Sequence, residues 1–156
     1  MVEQLTCRPL SQEDKAAICA WRYPGEYGVY DFPSLVEMAE QGTGFMAPGA
    51  CGNYLGWHGE GTLIGFTKLQ AEEKGIFVGI GVNPAHLSQG WGRRILEKAA
   101  LLCQERRPGK PLYLIVRTWN QRAIRCYKKA GFVIDGPPFE MTTGMGPGTF
   151  YRMTRS

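Results

Sequence analysis

The stretch Asn120-Gln-Arg-Ala-Ile-Arg-Cys-Tyr-Lys-Lys-Ala-Gly-Phe132 decides the fold. Its apolar side chains fall on one side of a helix, and Gly131 is placed to end that helix. The run Leu112-Tyr-Leu-Ile-Val116, a few residues earlier, is continuously apolar, which is typical of a strand buried on both faces. The segment therefore predicts a buried strand followed by a helix over residues 120–130, as in an α/β sheet.

A second informative stretch lies upstream, Val82-Asn-Pro-Ala-His-Leu-Ser-Gln-Gly-Trp-Gly92. It follows a strand-like run and precedes a segment with the apolar spacing of a helix. The first turn of a helix has unpaired N–H groups and a partial positive charge, so it binds phosphate readily. Gly90 and Gly92 let a ligand approach the backbone, and Arg93 and Arg94 add positive charge. Taken alone, this turn predicts only an anion site or a glycine-rich connection without a ligand.

The two stretches together resemble the GNAT superfamily of N-acetyltransferases. Its first motif runs V-x-P-x-x-[QR]-x-x-G-x-[GA], and this sequence matches it at Val82, Pro84, Gly90 and Gly92 but has Leu87 where Arg or Gln is usual. Its second motif runs N-x-x-A-x-x-x-Y-x-x-x-G-F, and the match is complete at Asn120, Ala123, Tyr127, Gly131 and Phe132. The order of elements also agrees, so the resemblance covers nearly the whole chain.

The remaining periodicity predicts an α/β fold. Strands are expected over residues 5–9, 53–57, 62–69, 76–82, 112–116, 133–141 and 149–153. Helices are expected after Ser11 and Ser34, each the start of a capping-box pattern, and over residues 91–106 and 120–130. Residues 23–32 are expected to be a loop, and residues 58–61 and 72–75 to be turns. The resemblance implies a mixed sheet of about seven strands, with splayed central strands and about four flanking helices.

Length and composition fit a single domain over residues 1–156. No apolar run reaches the ~20 residues that a membrane helix needs, and the N-terminus lacks the build of a signal peptide, so we expect a cytoplasmic protein. Five scattered cysteines without a C-x-x-C pair indicate reduced thiols, with Cys103 and Cys126 packed in the core. His58 and His86 are interpreted as surface turn residues, and no metal site is expected.

The charge is distributed unevenly along the chain. Residues 1–90 hold 5 basic against 10 acidic residues, whereas residues 91–131 hold 11 against 2. This basic block fits either a solvated surface of two helices or an anion site. It lacks the interleaved aromatics and the helix-turn-helix signature of nucleic-acid binders, so a phosphate-bearing small molecule is the more economical ligand.

The resemblance implies that acetyl-CoA is the co-substrate. Pantetheine would bond to the backbone of the strand, and the N–H groups of the glycine-rich turn would hold the pyrophosphate. The cofactor-binding residues so implied are Ile80, Gly81, Val82, Leu87, Ser88, Gln89, Gly90, Trp91, Gly92, Arg93, Asn120 and Tyr127. An amine would attack the thioester directly, a backbone N–H near Val82 would polarise the carbonyl, and Tyr127 would protonate the departing thiolate. The alternative for Tyr127 is simple core packing on its helix face.

The acceptor end of the site is less defined by the sequence. Many relatives have a carboxylate on the strand before the turn, but residues 76–82 contain none, and Glu72 and Glu73 are expected to be solvated. The family builds its acceptor pocket where residues 21–31 fall. The candidate substrate-binding residues there are Trp21, Tyr23, Glu26, Tyr27 and Tyr30, with Asp31 nearby. Alternatively, these rings only pack a surface loop.

Two functions from different classes therefore remain open. The first is an N-acetyltransferase that acts on a primary amine of a small molecule or peptide, and the acidic N-terminal half favours a cationic acceptor. The second is a non-catalytic acyl-CoA-binding or sensory domain on the same fold, which the missing carboxylate and Leu87 allow. Neither nucleic acid nor membrane is expected as a partner, and a homodimer is in keeping with the family.

Overall fold

The computed structural model describes residues 4–143 and 146–156, except for the side chain of Cys51. The strands are β1 (Leu5–Pro9), β2 (Tyr54–Gly59), β3 (Thr62–Ala71), β4 (Ile76–Val82), β5 (Leu112–Arg117), β6 (Val133–Ile134), β7 (Phe139–Thr143) and β8 (Gly146–Arg155). The α-helices are α1 (Gln12–Ala20), α2 (Leu35–Gln41), α3 (Trp91–Arg106) and α4 (Gln121–Lys129). Short 3-10 helices cover Gly25–Tyr30, Gly44–Met46, Cys51–Asn53 and Pro84–His86.

The strands form a mixed sheet in the order β1-β2-β3-β4-β5-β8-β6, and β7 pairs with β8. β4 and β5 are parallel, as the intervening helix α3 requires, whereas β1 with β2, β2 with β3, and β5 with β8 are antiparallel. The predicted mixed α/β sheet with four α-helices is thereby confirmed. The predicted bounds of β1, β4 and α3 agree with the structure to the residue.

The chain divides into two compact units, of which the first comprises the residues up to Lys68 together with Gly81–Gln89. Its α1 begins with a complete capping box: the Asp14 N–H donates to Ser11 Oγ, and the Ser11 N–H donates to the Asp14 carboxylate, both at 3.0 Å. Its core is aromatic and aliphatic. The buried members are Leu10, Ile18, Cys19, Met38, Phe45, Tyr54 and Phe66.

The second unit comprises Leu69–Ile80 and Gly90–Ser156. Side chains of α3, α4 and the even-numbered positions of β5 share its core. The buried members are Ile76, Val78, Leu96, Ala100, Cys103, Leu112, Leu114, Val116, Ile124, Ala130, Phe132 and Met153. Because side chains alternate along a strand, Tyr113, Ile115 and Arg117 emerge on the opposite face of β5.

Three local predictions were wrong. Residues 133–141 do not form one strand, because Gly136-Pro137-Pro138 separates β6 from β7, and proline cannot donate to a sheet. Residues 23–32 are not an irregular loop throughout, since Gly25–Tyr30 forms 3-10 turns. His58 is not a turn residue: it belongs to β2, is half-buried, and has Nε2 3.3 Å from Asp14 Oδ1.

Candidate active site

The pairing of β4 with β5 ends early. Ile76 lies opposite Leu112 and Phe77 opposite Tyr113. Within the described part of the chain, the register between these strands records no further pair for Val78, Gly79 or Ile80. The backbone of β4 is therefore available on that side for a ligand that lies along it like an added strand. The resemblance predicts this splaying.

The turn after β4 is shaped by two residues with positive φ. Ser88 has φ 60° and Gly90 has φ 84°, the latter as N-cap of α3 in the left-handed region. Glycine offers no side-chain cap, and the first helical bond runs from Arg94 N–H to the Gly90 carbonyl at 3.3 Å. The N–H groups of Gly92 and Arg93, in the first turn, are therefore not used by the helix's own hydrogen bonds, which is the geometry of an anion site.

The side chains of this turn fall into two groups. Leu87 is half-buried at the end of the 3-10 helix, whereas Ser88 and Gln89 are exposed. Trp91 is buried, with the Arg94 guanidinium 4.4 Å from its ring centre. Arg93 is exposed and pairs with Glu97 one turn along α3 at 3.3 Å. Arg93 and Arg94 thus add positive charge to the first turn of α3.

The end of β4 is fixed from within the first unit. The Val82 carbonyl accepts a hydrogen bond from the Tyr23 hydroxyl at 2.7 Å. The Asn83 N–H donates to the Ile64 carbonyl at 2.7 Å, so both polar groups of the peptide between residues 82 and 83 are bonded. A Cβ at Gly81 would lie 2.7 Å from Phe66 Cζ, which explains why this position has no side chain.

Two of the predicted site residues belong to helix α4 and its N-cap. Asn120 is its N-cap, 6% exposed, and its side-chain oxygen accepts from the Ala123 N–H at 3.1 Å. Tyr127 is half-buried against the core of the second unit, together with Ala123. Gly131 follows the helix with φ 97°, one residue past the C-cap Ala130, and a side chain there would meet Arg155.

The five candidate acceptor residues are placed differently from one another. Trp21 is half-buried against the first unit's core, 6.3 Å from the Phe66 ring, so packing accounts for much of its position. The Tyr23 hydroxyl donates to the Val82 carbonyl, and the Tyr23 N–H donates to Asp31 Oδ1 at 2.8 Å. Glu26 is exposed, whereas Tyr27 and Tyr30 are half-buried on the 3-10 turns.

Glu72 does not match its predicted environment. It was expected to be solvated, but it is half-buried and accepts a hydrogen bond from the Tyr113 hydroxyl at 2.6 Å. The Lys110 ammonium also donates to its backbone carbonyl. Burial, this hydrogen bond and the carboxylate's charge raise the pKa of Tyr113. Glu72 is thus engaged in the turn before β4 and is a poor candidate for a catalytic base.

The thiols of Cys103 and Cys126 are not activated as nucleophiles. Burial raises the pKa of Cys103 and of Cys126, and the nearby cations oppose the shift without overcoming it. A thiol with a raised pKa is a weak nucleophile at neutral pH. Within residues 4–143 and 146–156, no three His, Cys, Asp or Glu side chains are grouped as a metal site requires. No helix in that same part of the chain has both the length and the apolar character needed to cross a bilayer.

One buried charge was not singled out by the sequence. Arg117, at the end of β5, is 6% exposed, and its guanidinium carbon lies 4.9 Å from the centre of the Phe150 ring. In the sequence it is one of 11 basic residues in the block 91–131. The sequence signal for it was its position directly after a buried apolar run, because a residue at that position is expected to be buried as well.

The model of the Acetyltransferase (GNAT) family matches residues 15–132. The chain belongs to this family. A solved GNAT-family acetyltransferase from Bacillus anthracis has the same fold: it superposes with a TM-score of 0.79 at 13% identity, covering 99% of this chain and 95% of its own.

Two characterised relatives match part of the sequence. The L-methionine sulfoximine/L-methionine sulfone acetyltransferase of Salmonella typhimurium is 27% identical over 103 residues, 53% of this chain and 59% of that protein. The N-alpha-acetyltransferase RimI of Mycobacterium tuberculosis is 33% identical over 86 residues, 51% of each chain. This GNAT chain thus matches little more than half the length of either relative.

Proposed function

We propose that this GNAT chain transfers the acetyl group of acetyl-CoA to a primary amine of a small molecule or peptide. The observation that carries the proposal is the arrangement of β4, α3, β5 and α4. β4 leaves its pairing with β5 after Phe77, α3 starts at Gly90 without a side-chain cap, and α4 follows β5 with Asn120 and Tyr127 in the family's positions. Membership of the family gives this arrangement its chemical meaning.

The backbone of β4 and the first turn of α3 would bind the cofactor. Pantetheine amides would bond to the backbone of Ile80, Gly81 and Val82. The pyrophosphate would lie on the N–H groups of residues 87–92, with Arg93 adding charge. Leu87 in place of Arg or Gln should lower the affinity for the cofactor only slightly, because the backbone N–H groups make the contacts with the pyrophosphate.

Transfer would proceed by direct attack. The amine nitrogen bonds to the thioester carbonyl carbon, the Val82 N–H polarises the carbonyl oxygen, and the carbon–sulfur bond then breaks. Tyr127 donates a proton to the leaving thiolate, and the nitrogen loses its extra proton to water. Since β4 has no carboxylate and Glu72 is engaged elsewhere, water is the proposed proton acceptor.

The aromatic side chains of residues 21–31 would line the acceptor site. Tyr27 and Tyr30 are half-buried rather than enclosed, aromatic rings attract ammonium groups, and Glu26 adds an exposed carboxylate. By their names, the Salmonella relative acts on an amino-acid sulfone and RimI acetylates an α-amine. Both are primary amines. The scattered cysteines are in keeping with action in the cytoplasm.

The decisive experiment separates transfer from binding. Acetyl-CoA affinity is measured by calorimetry, and CoA thiol release is followed with polyamines, amino acids including L-methionine sulfone, aminoglycosides and N-terminal peptides. Binding together with amine-dependent thiol release supports the proposal. Tight binding without release from any of these amines contradicts it and favours the second candidate, a non-catalytic acyl-CoA-binding domain.

A further inference from the structure

Asp31 has a defined position at the end of the loop over residues 21–31. It is the C-cap of the 3-10 helix Gly25–Tyr30, and its N–H donates to the Gly28 carbonyl at 3.0 Å. Its Oδ1 accepts a hydrogen bond from the Tyr23 N–H at 2.8 Å. The residue is half-buried, so both its backbone and its carboxylate are held in place while part of it stays exposed.

The 3-10 helix arranges its residues in three rows. It has three residues per turn, so that residues three apart lie above one another. The rows are Gly25, Gly28 and the C-cap Asp31; Tyr27 and Tyr30; and Glu26 and Val29. The Asp31 carboxylate therefore shares its row with two residues that have no side chain, and the exposed Glu26 belongs to a different row.

Gly28 leaves one side of the Asp31 carboxylate uncovered. Gly25 has φ 56°, a conformation that favours glycine, but Gly28 is not among the glycines with positive φ, so its backbone does not require glycine. A Cβ at Gly28 would lie 3.8 Å from Asp31 Oδ2 and 3.6 Å from the Tyr23 carbonyl oxygen, which is ordinary van der Waals contact. A side chain at Gly28 would therefore lie directly against Oδ2, and its absence leaves that side of the oxygen to a ligand.

Tyr23 connects this carboxylate with the strand end at which the thioester is proposed to react. Its N–H bonds to Asp31, and its hydroxyl donates to the Val82 carbonyl at 2.7 Å. The Asn83 N–H of the same peptide donates to Ile64 of β3, so the Val82 carbonyl faces away from β3. Because the N–H and the carbonyl of one strand residue face the same side, the Val82 N–H also faces the side of the Tyr23 hydroxyl. All of these residues belong to the first compact unit.

We propose that Asp31 binds a second, non-reacting ammonium group of the acceptor, which makes diamines and polyamines the acceptor class. This inference rests on the proposed acetyl transfer. An amine attacks a thioester in its neutral form, whereas a carboxylate favours the protonated form of an amine beside it. An ammonium group at Asp31 is thus held rather than activated. Tyr23, bonded at one end to Asp31 and at the other to Val82, sets its distance from the reacting amine.

The competing role for Asp31 is only to hold the Tyr23 N–H, and Asp31→Asn separates the two roles. The amide oxygen of the variant can still accept that hydrogen bond, but the negative charge is removed. The probes are 1,4-diaminobutane with butylamine and 1,6-diaminohexane with hexylamine, and each pair differs in the second amine alone. The ratio of kcat/KM values for diamine and monoamine is measured in the wild type and in Asp31→Asn. Differences in amine reactivity cancel when the two ratios are compared.

The wild type should prefer at least one diamine to its monoamine by more than the statistical factor for two equivalent amines. Asp31→Asn should lower that ratio by roughly fivefold to twentyfold, between the losses typical of an exposed ion pair and of a charge-assisted hydrogen bond. The kcat/KM for the monoamines and the acetyl-CoA dissociation constant should stay within about twofold. Gly28→Ala, which covers Oδ2 and keeps the charge, should lower the ratio in the same direction. Glu40→Gln, which removes an exposed carboxylate from α2 of the same unit, is the control.

An unchanged ratio in Asp31→Asn overturns the inference, as does a wild type that prefers neither diamine. A larger fall in Glu26→Gln than in Asp31→Asn overturns it as well, because Glu26 belongs to another row of the 3-10 helix. If Asp31→Asn does not fold, Gly28→Ala carries the same comparison. If the wild type releases no CoA with any amine, the proposed function fails separately. Calorimetry of 1,4-diaminobutane binding to the wild type and to Asp31→Asn then tests Asp31 alone, and equal affinities would contradict the inference.

Discussion

The Tyr23 hydroxyl is bonded to the Val82 carbonyl oxygen at 2.7 Å, across 59 positions of sequence. The Tyr23 backbone is in turn held by Asp31, whose Oδ1 accepts the Tyr23 N–H at 2.8 Å. The loop proposed to bind the acceptor is thereby fixed to the strand end proposed to polarise the thioester. A shift of this loop would move the end of β4, and the reverse also holds. Tyr23 is therefore a positioning residue.

Tyr23→Phe should lower kcat by roughly twofold to tenfold, because one neutral hydrogen bond contributes about 0.5–1.5 kcal/mol. The KM for acetyl-CoA should stay unchanged, since the hydroxyl does not touch the cofactor in this scheme. Steady-state kinetics measure both values. Tyr54→Phe removes a hydroxyl from the same unit and is the control. An unaltered kcat in Tyr23→Phe would show that the bond has no part in catalysis.

Tyr127→Phe should reduce turnover by roughly 10²-fold or more, the usual range for acid–base assistance. Tyr127 and Tyr151 both pack against the core of the second unit, so Tyr151→Phe is a matched control for loss of a hydroxyl. CoA thiol release measures the effect. If Tyr127→Phe turns over at the wild-type rate, the residue serves only to pack α4.

Gly81→Ala should destabilise the protein by about 1–3 kcal/mol, because the new Cβ meets the Phe66 ring. The free energy of unfolding in urea measures this loss. Phe66→Leu removes the ring atoms concerned, so the double variant should be more stable than the sum of the single effects predicts. Additive effects would mean that Phe66 does not restrict residue 81.

Asp14→Ala should lower the free energy of unfolding by about 1–2 kcal/mol, since it removes half of the capping box and the contact with His58. Burial alone would raise the pKa of Asp14, but hydrogen bonds from the Ser11 backbone, His58 and the Ser11 side chain leave it lowered. The ionised form is therefore the one that stabilises the fold.

The stabilisation by Asp14 is complete above the unfolded pKa of 3.8 and is lost as the pH falls through the lower folded value. The free energy of unfolding is measured in urea at several pH values for the wild type and for Asp14→Ala. The difference between the two should become smaller below about pH 3.8. Glu13→Ala, on the exposed side of the same first turn, is the control. A difference that stays constant as the pH falls would contradict this assignment.

Secondary structure is predicted well from the sequence where the hydrophobic period is strong or where a local signal marks the end of an element. Helix α3 begins at Trp91 and ends at Arg106 as expected, because its apolar spacing is regular and a glycine and a proline flank it. The Ser11 capping box is likewise a contact between residues three apart. Such local rules require no knowledge of the rest of the chain.

The site's long-range contacts could not be predicted in this way. The hydrogen bond of Tyr23 to Val82 and the overlap of residue 81 with Phe66 depend on how strands and loops meet in space. Arg117 looks like any other residue of the basic block until the burial of β5 is known. The 3-10 turns over Gly25–Tyr30 were missed because glycine and proline indicate only that regular structure is interrupted.

Acetyl transfer itself can be measured in a single reaction. The protein is mixed with acetyl-CoA labelled with carbon-13 in the acetyl group and with an equimolar set of primary amines, and mass spectrometry follows both products. The account predicts labelled acetyl on an amine nitrogen, with one CoA thiol formed for each acetyl transferred. Bound but unconsumed acetyl-CoA, with no labelled amine, would contradict it.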